Sequence, residues 1–254
     1  MQSRTPRPVR VLVSVAAIVS VASALAAMAA GPGTDAGLWH YRTGFLIVRW
    51  SVYIAAGAGA VALIGSGLAA AARQYRVALL GVIAAAVALA IVVPTWQLQR
   101  TASQVPRIHD ITTDTDNPPQ FVALLPVRQK TANGPEYAGE KIARQQKAAY
   151  PDIQPLMLSE PPAAAFERAL AAARSMGWEI VAAVPADGRI EATATTRWFR
   201  FKDDIIIRIT AQPAGSRIDV RSKSRLGRSD LGTNAKRIRA YFRTLGNARE
   251  SQAG

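Results

Sequence analysis

The chain of 254 residues contains no cysteine. That excludes disulfides, thiolate nucleophiles, zinc ribbons and iron–sulfur clusters together. Histidine is nearly absent too: only His40 and His109 occur, too few for a His-rich metal site. Asp, Glu, Lys and Arg are missing altogether from Val11–Ala30, Trp50–Ala72 and Val77–Trp96. No ionisable group therefore sits where a proton or ion path would need one, which argues against a transporter or channel. The chain also lacks a Gly-x-Ser-x-Gly elbow, a Walker loop and an internal repeat.

What is present begins with those three charge-free runs. Each is long enough to cross a hydrocarbon core of about 30 Å as a helix, which takes about 20 residues. Arg4, Arg7 and Arg10 precede the first run, and Arg73 and Arg76 sit between the second and third. Arginine bias of this kind predicts a cytoplasmic N-terminus. Three crossings then put the C-terminal part outside. Trp39, Tyr41, Trp50, Tyr53 and Trp96 fall at the outer ends of the runs and read as an interfacial aromatic belt, with Tyr75 on the inner side. A second reading takes the first run, with Ala27-Met28-Ala29, as a cleaved signal peptide. Two crossings would still leave the C-terminal part outside. In the second run Ala58, Ala62, Ser66 and Ala70 line one helix face, a pattern that serves packing on the third run or homodimerisation.

These features divide the chain into a transmembrane anchor over 1–96, with helices at about 11–30, 50–72 and 77–96, a Pro- and Thr-rich linker over 97–120, and an exported domain over 121–254. The net charge of +14 leaves +8 on residues 97–254, a moderate surplus that favours anionic partners. An outward-facing domain excludes nucleic acid as a partner.

The domain reads as β-α-β-β-β-β-α. A short helix is expected at Ala138–Ala149, then a strand at Ile153–Leu158 and a helix opened by Pro161-Pro162 and ended by Gly177. Asp187-Gly188 marks a hairpin between Trp178–Val184 and Arg189–Thr196. Phe201–Ala211 alternates, with Ile205, Ile207 and Ile209 inward. Arg217–Lys223 puts Ile218 and Val220 inward and Arg217, Asp219, Arg221 and Lys223 outward. A last helix from about Leu231 to Leu245, capped by Ser229 or Asp230, shows an apolar stripe with Lys236, Arg237, Arg239 and Arg243 off it. The fold class is thus a three-helix membrane anchor plus a two-layer α+β domain, an antiparallel sheet with helices on one face.

Four stretches resemble one known family. They are Pro106–Asp114 (PRIHDITTD), Phe199–Ile209 (FRFKDDIIIRI), Arg217–Gly227 (RIDVRSKSRLG) and Ser229–Arg239 (SDLGTNAKRIR). Over about Pro106–Leu245 the chain is similar to the bacterial domain-of-unknown-function family 1499, and its anchor suits the membrane-attached versions. The resemblance implies a fold and a location and brings no activity.

The residues offer three candidate sites. Arg221, Ser222, Ser224, Arg225, Arg228 and Ser229, with Lys236 beyond, run from a sheet edge into a helix start, a setting for an anionic lipid or envelope polymer. The alternative is that these arginines pair with Asp203, Asp204 and Asp219. The second candidate is Asp203, Asp204 and Arg208; adjacent carboxylates on a strand point to opposite faces, so an acid/base dyad would need a bulge. The third is His109-Asp110, with Asp114 and Asp116 nearby but without EF-hand spacing. No metal or cofactor is expected. The favoured expectation is a non-enzymatic envelope protein whose basic edge binds an anionic lipid, polymer or partner protein. The alternative is a hydrolase of an envelope substrate using Asp203, Asp204, Ser222 and Arg225.

Overall fold

The computed structural model describes residues 7–250, the side chains of 247–250 excepted; Arg4 lies outside the described residues. It forms two compact units. The first comprises the N-terminal helices, to Thr101, together with Arg197–Arg200; the second comprises Ala102–Thr196 and the chain from Phe201 onward.

In the helical unit, α1 (Arg7–Asp35), α2 (Tyr41–Ala71) and α3 (Tyr75–Gln104) are each long and apolar enough to cross a membrane. All three extend beyond the charge-free runs. Small residues carry the packing. Ala16, Ala62 and Ala84 meet at one level, and Ser66 Oγ donates to the Ala78 carbonyl at 2.6 Å. Gly59 faces Ala88, and Gly65 faces Val13. The buried stripe of α2 is Ala55, Gly59, Ala62, Ser66 and Ala69, so Ala58 is half-buried and Ala70 exposed. Large apolar side chains such as Leu63, Ile64 and Leu68 point outward, as a lipid-facing surface requires.

The second unit is built on one antiparallel sheet in the order β1-β6-β5-β4-β3. Its strands are β1 (Asp110–Thr112), β2 (Leu156–Leu158), β3 (Glu179–Val184), β4 (Arg189–Thr195), β5 (Lys202–Gln212) and β6 (Gly215–Ser224). β2 also pairs with β6, through Leu156–Leu158 against Ser216–Ile218. A 3-10 turn, Pro185–Asp187, followed by Gly188 in the left-handed region makes the β3–β4 hairpin. Helices α6 (Pro162–Ser175) and α7 (Thr233–Glu250) cover one face. There Ile190, Ile205, Ile207, Ile218 and Val220 meet Phe166, Ala169, Ile238 and Leu245. Trp178 stacks on Tyr241, and the Tyr241 hydroxyl donates to the Ala169 carbonyl. Burial of each large side chain contributes about 1.5–3 kcal/mol.

Two features differ from the sequence reading. The segment read as a linker over 97–120 instead holds the end of α3 and strand β1. The opposite face of the sheet, read as outward, is covered by a strap over residues 113–137 that includes the short helix α4 (Leu125–Arg128). Phe121 and Leu124 of the strap rest on Ile206. Beyond the strap, α5 (Glu140–Ala149) places Gln146 against β1, where its amide accepts from Thr112 N–H and donates to Thr112 C=O. One side chain thus satisfies both backbone groups of an outer-strand residue, as a further strand would.

Candidate functional site

Strand alternation sorts the chemistry-bearing residues onto the two faces. Directly opposed residues share a face, so the pairing of Ile206 with Arg221, Asp204 with Lys223 and Arg208 with Asp219 puts all six under the strap. Glu191 and Thr193 join them from β4. Asp203 and Ser224 oppose one another on the helix-covered face, next to Ser222.

Under the strap the charges are buried and matched. Arg128 and Asp204 are both fully buried and meet at 2.7 Å. Arg225, 18% exposed, reaches the same carboxylate at 2.8 Å. Arg221 makes a two-pronged contact with Asp110, Nε to Oδ1 at 2.9 Å and Nη2 to Oδ2 at 2.8 Å. Lys223 approaches Asp110 at 3.2 Å. Burial pushes the Lys223 ammonium below its ordinary range, and Asp110 opposes that fall. Burial likewise lowers the Arg128 guanidinium, with Asp204 opposing. Phe121 lies between two guanidinium groups, 4.8 Å from Arg128 and 5.2 Å from Arg221. At the strap's start Asp114, Arg208, Asp219 and Arg217 alternate in sign with contacts of 2.8–3.0 Å.

The strap is also pinned through its backbone. The Glu191 carboxylate accepts from the N–H groups of Val122, Ala123 and Leu124 and pairs with Arg189. Arg128 donates to the carbonyls of Asn133, Gly134 and Lys223. Asn133 donates to the carbonyls of Ser224 and Gly227.

On the helix-covered face, Asn234 accepts from Ser222 Oγ at 2.7 Å and donates to Ser224 Oγ at 3.1 Å. Arg237 donates to Ser222 Oγ and to Asp203. Asp230 receives the N–H groups of Gly232 and Asn234, and Ser229 Oγ receives that of Leu231, so the start of α7 is occupied by the chain's own acceptors. Burial raises the Asp230 carboxyl above its usual range. His109 is half-buried against the Arg228 carbonyl, and burial lowers it below the ordinary imidazole value.

The sequence candidates are therefore dispersed. The stretch from Arg221 to Ser224 lies between strands rather than on a sheet edge, because β1 pairs with Arg221–Lys223. Arg221, Ser222, Ser224 and Arg225 all have partners within the fold. Arg228 and Lys236 remain exposed, and neither has an acid partner among the described residues. Asp203 and Asp204 point to opposite faces, toward Arg237 and Arg128, while Arg208 serves Asp114 and Asp219. The four hydrolase candidates split likewise, Asp203 and Ser222 on one face and Asp204 and Arg225 on the other. No cluster of three metal-ligating side chains occurs among the described residues. Sequence reasoning missed Arg128, Asn133, Gln146 and Glu191. Nothing local marks them, since each also depends on a partner far along the chain: Asp204 for Arg128, Ser224 for Asn133, Thr112 for Gln146 and the Val122–Leu124 backbone for Glu191.

The profile of the family described as "Protein of unknown function (DUF1499)" matches residues 110–245, more than half of the chain. The chain belongs to this family. A comparison with curated proteins finds no match. The DUF1499 match opens on β1 and closes within α7, so it takes in the strap, both sheet faces and every ion pair described above. The ion-paired face is thus part of the DUF1499 domain itself, and the N-terminal helices lie outside the matched span.

Proposed function

We propose that this protein is a non-enzymatic, membrane-anchored binding protein of the cell envelope. Its helices cross the cytoplasmic membrane, and its DUF1499 domain faces the outer side and engages an anionic lipid or envelope polymer. The observation that carries this reading is the division of the domain's basic residues. Arg128, Arg208, Arg217, Arg221, Arg225 and Arg237 are neutralised by acids of the fold. Arg107, Arg228 and Lys236 are exposed and have no acid partner among the described residues. Backbone contacts gather them: Asp230 N–H donates to the Ile108 carbonyl, which sets Arg107 beside the start of α7. Surplus charge gathered in this way draws anions by long-range attraction and by arginine's affinity for phosphate and carboxylate. Arginine bias in Arg7, Arg10, Arg73 and Arg76 supports the outward orientation, which leaves nucleic acid out of reach.

The test uses the full chain in neutral-lipid nanodiscs. Inorganic polyphosphate and short-chain phosphatidylglycerol serve as polymer and lipid probes. Binding to either is expected, weakened by Arg107→Gln, Arg228→Gln and Lys236→Gln together and unaffected by Lys130→Gln. Absence of binding, or indifference to the triple substitution, would overturn the reading. A reporter fused after Gly254 tests orientation separately.

A further inference from the structure

The helical unit includes four residues from far along the chain, Arg197–Arg200, at the tip of the β4–β5 hairpin. Their seat is specific. Gly31 of α1 lies so close that a Cβ there would run into the Trp198 backbone oxygen and indole. A Cβ at Gly44 of α2 would meet the Phe199 ring. Phe199 is buried, with its ring 4.8 Å from that of Phe45. The Trp198 indole N–H donates to the Met28 carbonyl at 3.3 Å. Yet Trp198 remains 42% exposed. A large apolar ring held by its edge, with much of its surface uncovered, is prepared for a further apolar or interfacial neighbour.

The level of the seat identifies that neighbour. Gly31 immediately follows the charge-free run of α1, and Gly44 lies about 9 Å along α2 from Trp50, where its own charge-free run begins. That is the depth of the headgroup layer, in which Trp is enriched. Of the other aromatics there, Trp50, Tyr53 and Trp96 are exposed, while Trp39 and Tyr41 are half-buried. Charge agrees. Arg42, Arg49, Arg197 and Arg200 stand at this end of the unit, and Asp35 is the acid beside them. Such a mixture of aromatic rings and snorkelling arginines matches an anionic phospholipid surface.

We propose that Arg197-Trp198-Phe199-Arg200 is a lipid-facing element of the helical unit: Phe199 seats the loop on α1 and α2, and Trp198 and Arg197 enter the headgroup layer and contact anionic phospholipid. This rests on the helices spanning a bilayer and is independent of the cations near α7. Because the chain has no cysteine, a spin label can be placed at Arg197→Cys in the full chain, with Glu167→Cys as an exposed reference. In nanodiscs containing phosphatidylglycerol, the label at 197 is expected to lose broadening by a water-soluble nickel chelate relative to 167. Equal broadening at both positions would overturn the proposal. A second measurement avoids any change at 197. Quenching of wild-type tryptophan fluorescence by brominated lipid is expected to exceed that of Trp198→Phe, and identical quenching would overturn insertion. Arg197→Gln with Arg200→Gln is expected to lose retention of phosphatidylglycerol over phosphatidylcholine in native mass spectrometry; unchanged retention would overturn the anionic preference.

Discussion

Trp198 donates its indole N–H to the Met28 carbonyl, and that carbonyl is the one in α1 that Pro32, four residues on, leaves without a helical donor. Proline creates the vacancy, and a side chain from the distant Arg197–Arg200 segment fills it. Trp198→Phe keeps an aromatic side chain, though a smaller one, and removes the donor. It is expected to lower the stability of the helical unit by about 1 kcal/mol, the net worth of one hydrogen bond. Pro32→Ala restores the N–H that Met28 needs. In a double-mutant cycle read by thermal unfolding in detergent, the cost of Trp198→Phe should shrink in the Pro32→Ala background. Equal costs in the two backgrounds would refute the pairing of vacancy and donor.

Arg128 and Arg225 share the Asp204 carboxylate but not its burial. Arg128 is fully buried and also ties the carbonyls of Asn133, Gly134 and Lys223. Removing it leaves a buried carboxylate short of a partner, a change that costs about 3–5 kcal/mol. Arg225 is partly open to water, which screens its pair. Chemical denaturation of the full chain should therefore rank Arg128→Ala well below Arg225→Ala in stability. A reversed order would mean that Arg225, not Arg128, holds the carboxylate.

How far the sequence could be read follows from where each signal resides. The alternation in Arg217–Lys223 assigned both faces of β6 correctly, because side-chain direction in a strand depends only on position. The same alternation made Arg221 and Lys223 look solvated. Their burial depends on the strap, whose residues 113–137 carry no period. Arg221 finds Asp110 across 111 positions of chain, and Glu191 finds Ala123 across 68. Pairings at that range leave no local mark. Strand β1 was hidden for a related reason. It has three residues, and Gln146 supplies hydrogen bonds that a neighbouring strand would otherwise provide. Asp230 accepts N–H groups at the start of α7 as an expected cap would, because such contacts are local, but the helix begins at Thr233 rather than Leu231, since Leu231 and Gly232 have positive φ.

Glu191 holds the middle of the strap through its backbone. Its carboxylate receives three consecutive N–H groups, at 2.9–3.2 Å, and carries the charge that makes such bonds strong. Glu191→Gln keeps the shape and removes one acceptor oxygen and the charge. Amide hydrogen exchange should then accelerate at Val122, Ala123 and Leu124 ahead of the strands beneath, with a stability loss of about 1–3 kcal/mol. Uniform acceleration across the sheet would show instead that strap and sheet open together.

His109 gives the domain a pH dependence whose sign can be worked out. Burial lowers its pKa below 6.5, so in the window just below 6.5 the unfolded chain binds more protons than the folded one. Stability is then fully present above that value and is lost as pH falls toward the folded pKa. Asp230 acts oppositely. Burial raises its pKa above 3.8, so its contribution is greatest below that value and fades as pH rises through the folded pKa. Between the two reference values the effects oppose, and substitution separates them. His109→Gln should flatten the loss of stability on acidification from about pH 7 to pH 5.5, measured by urea unfolding of the full chain at each pH. Asp230→Ala should lower stability by about 1 kcal/mol through loss of the acceptor for the Gly232 and Asn234 N–H groups, and it should steepen rather than flatten the loss on acidification wherever the two effects oppose. A slope that persists in His109→Gln would assign the pH dependence to another group and leave His109 a packing residue.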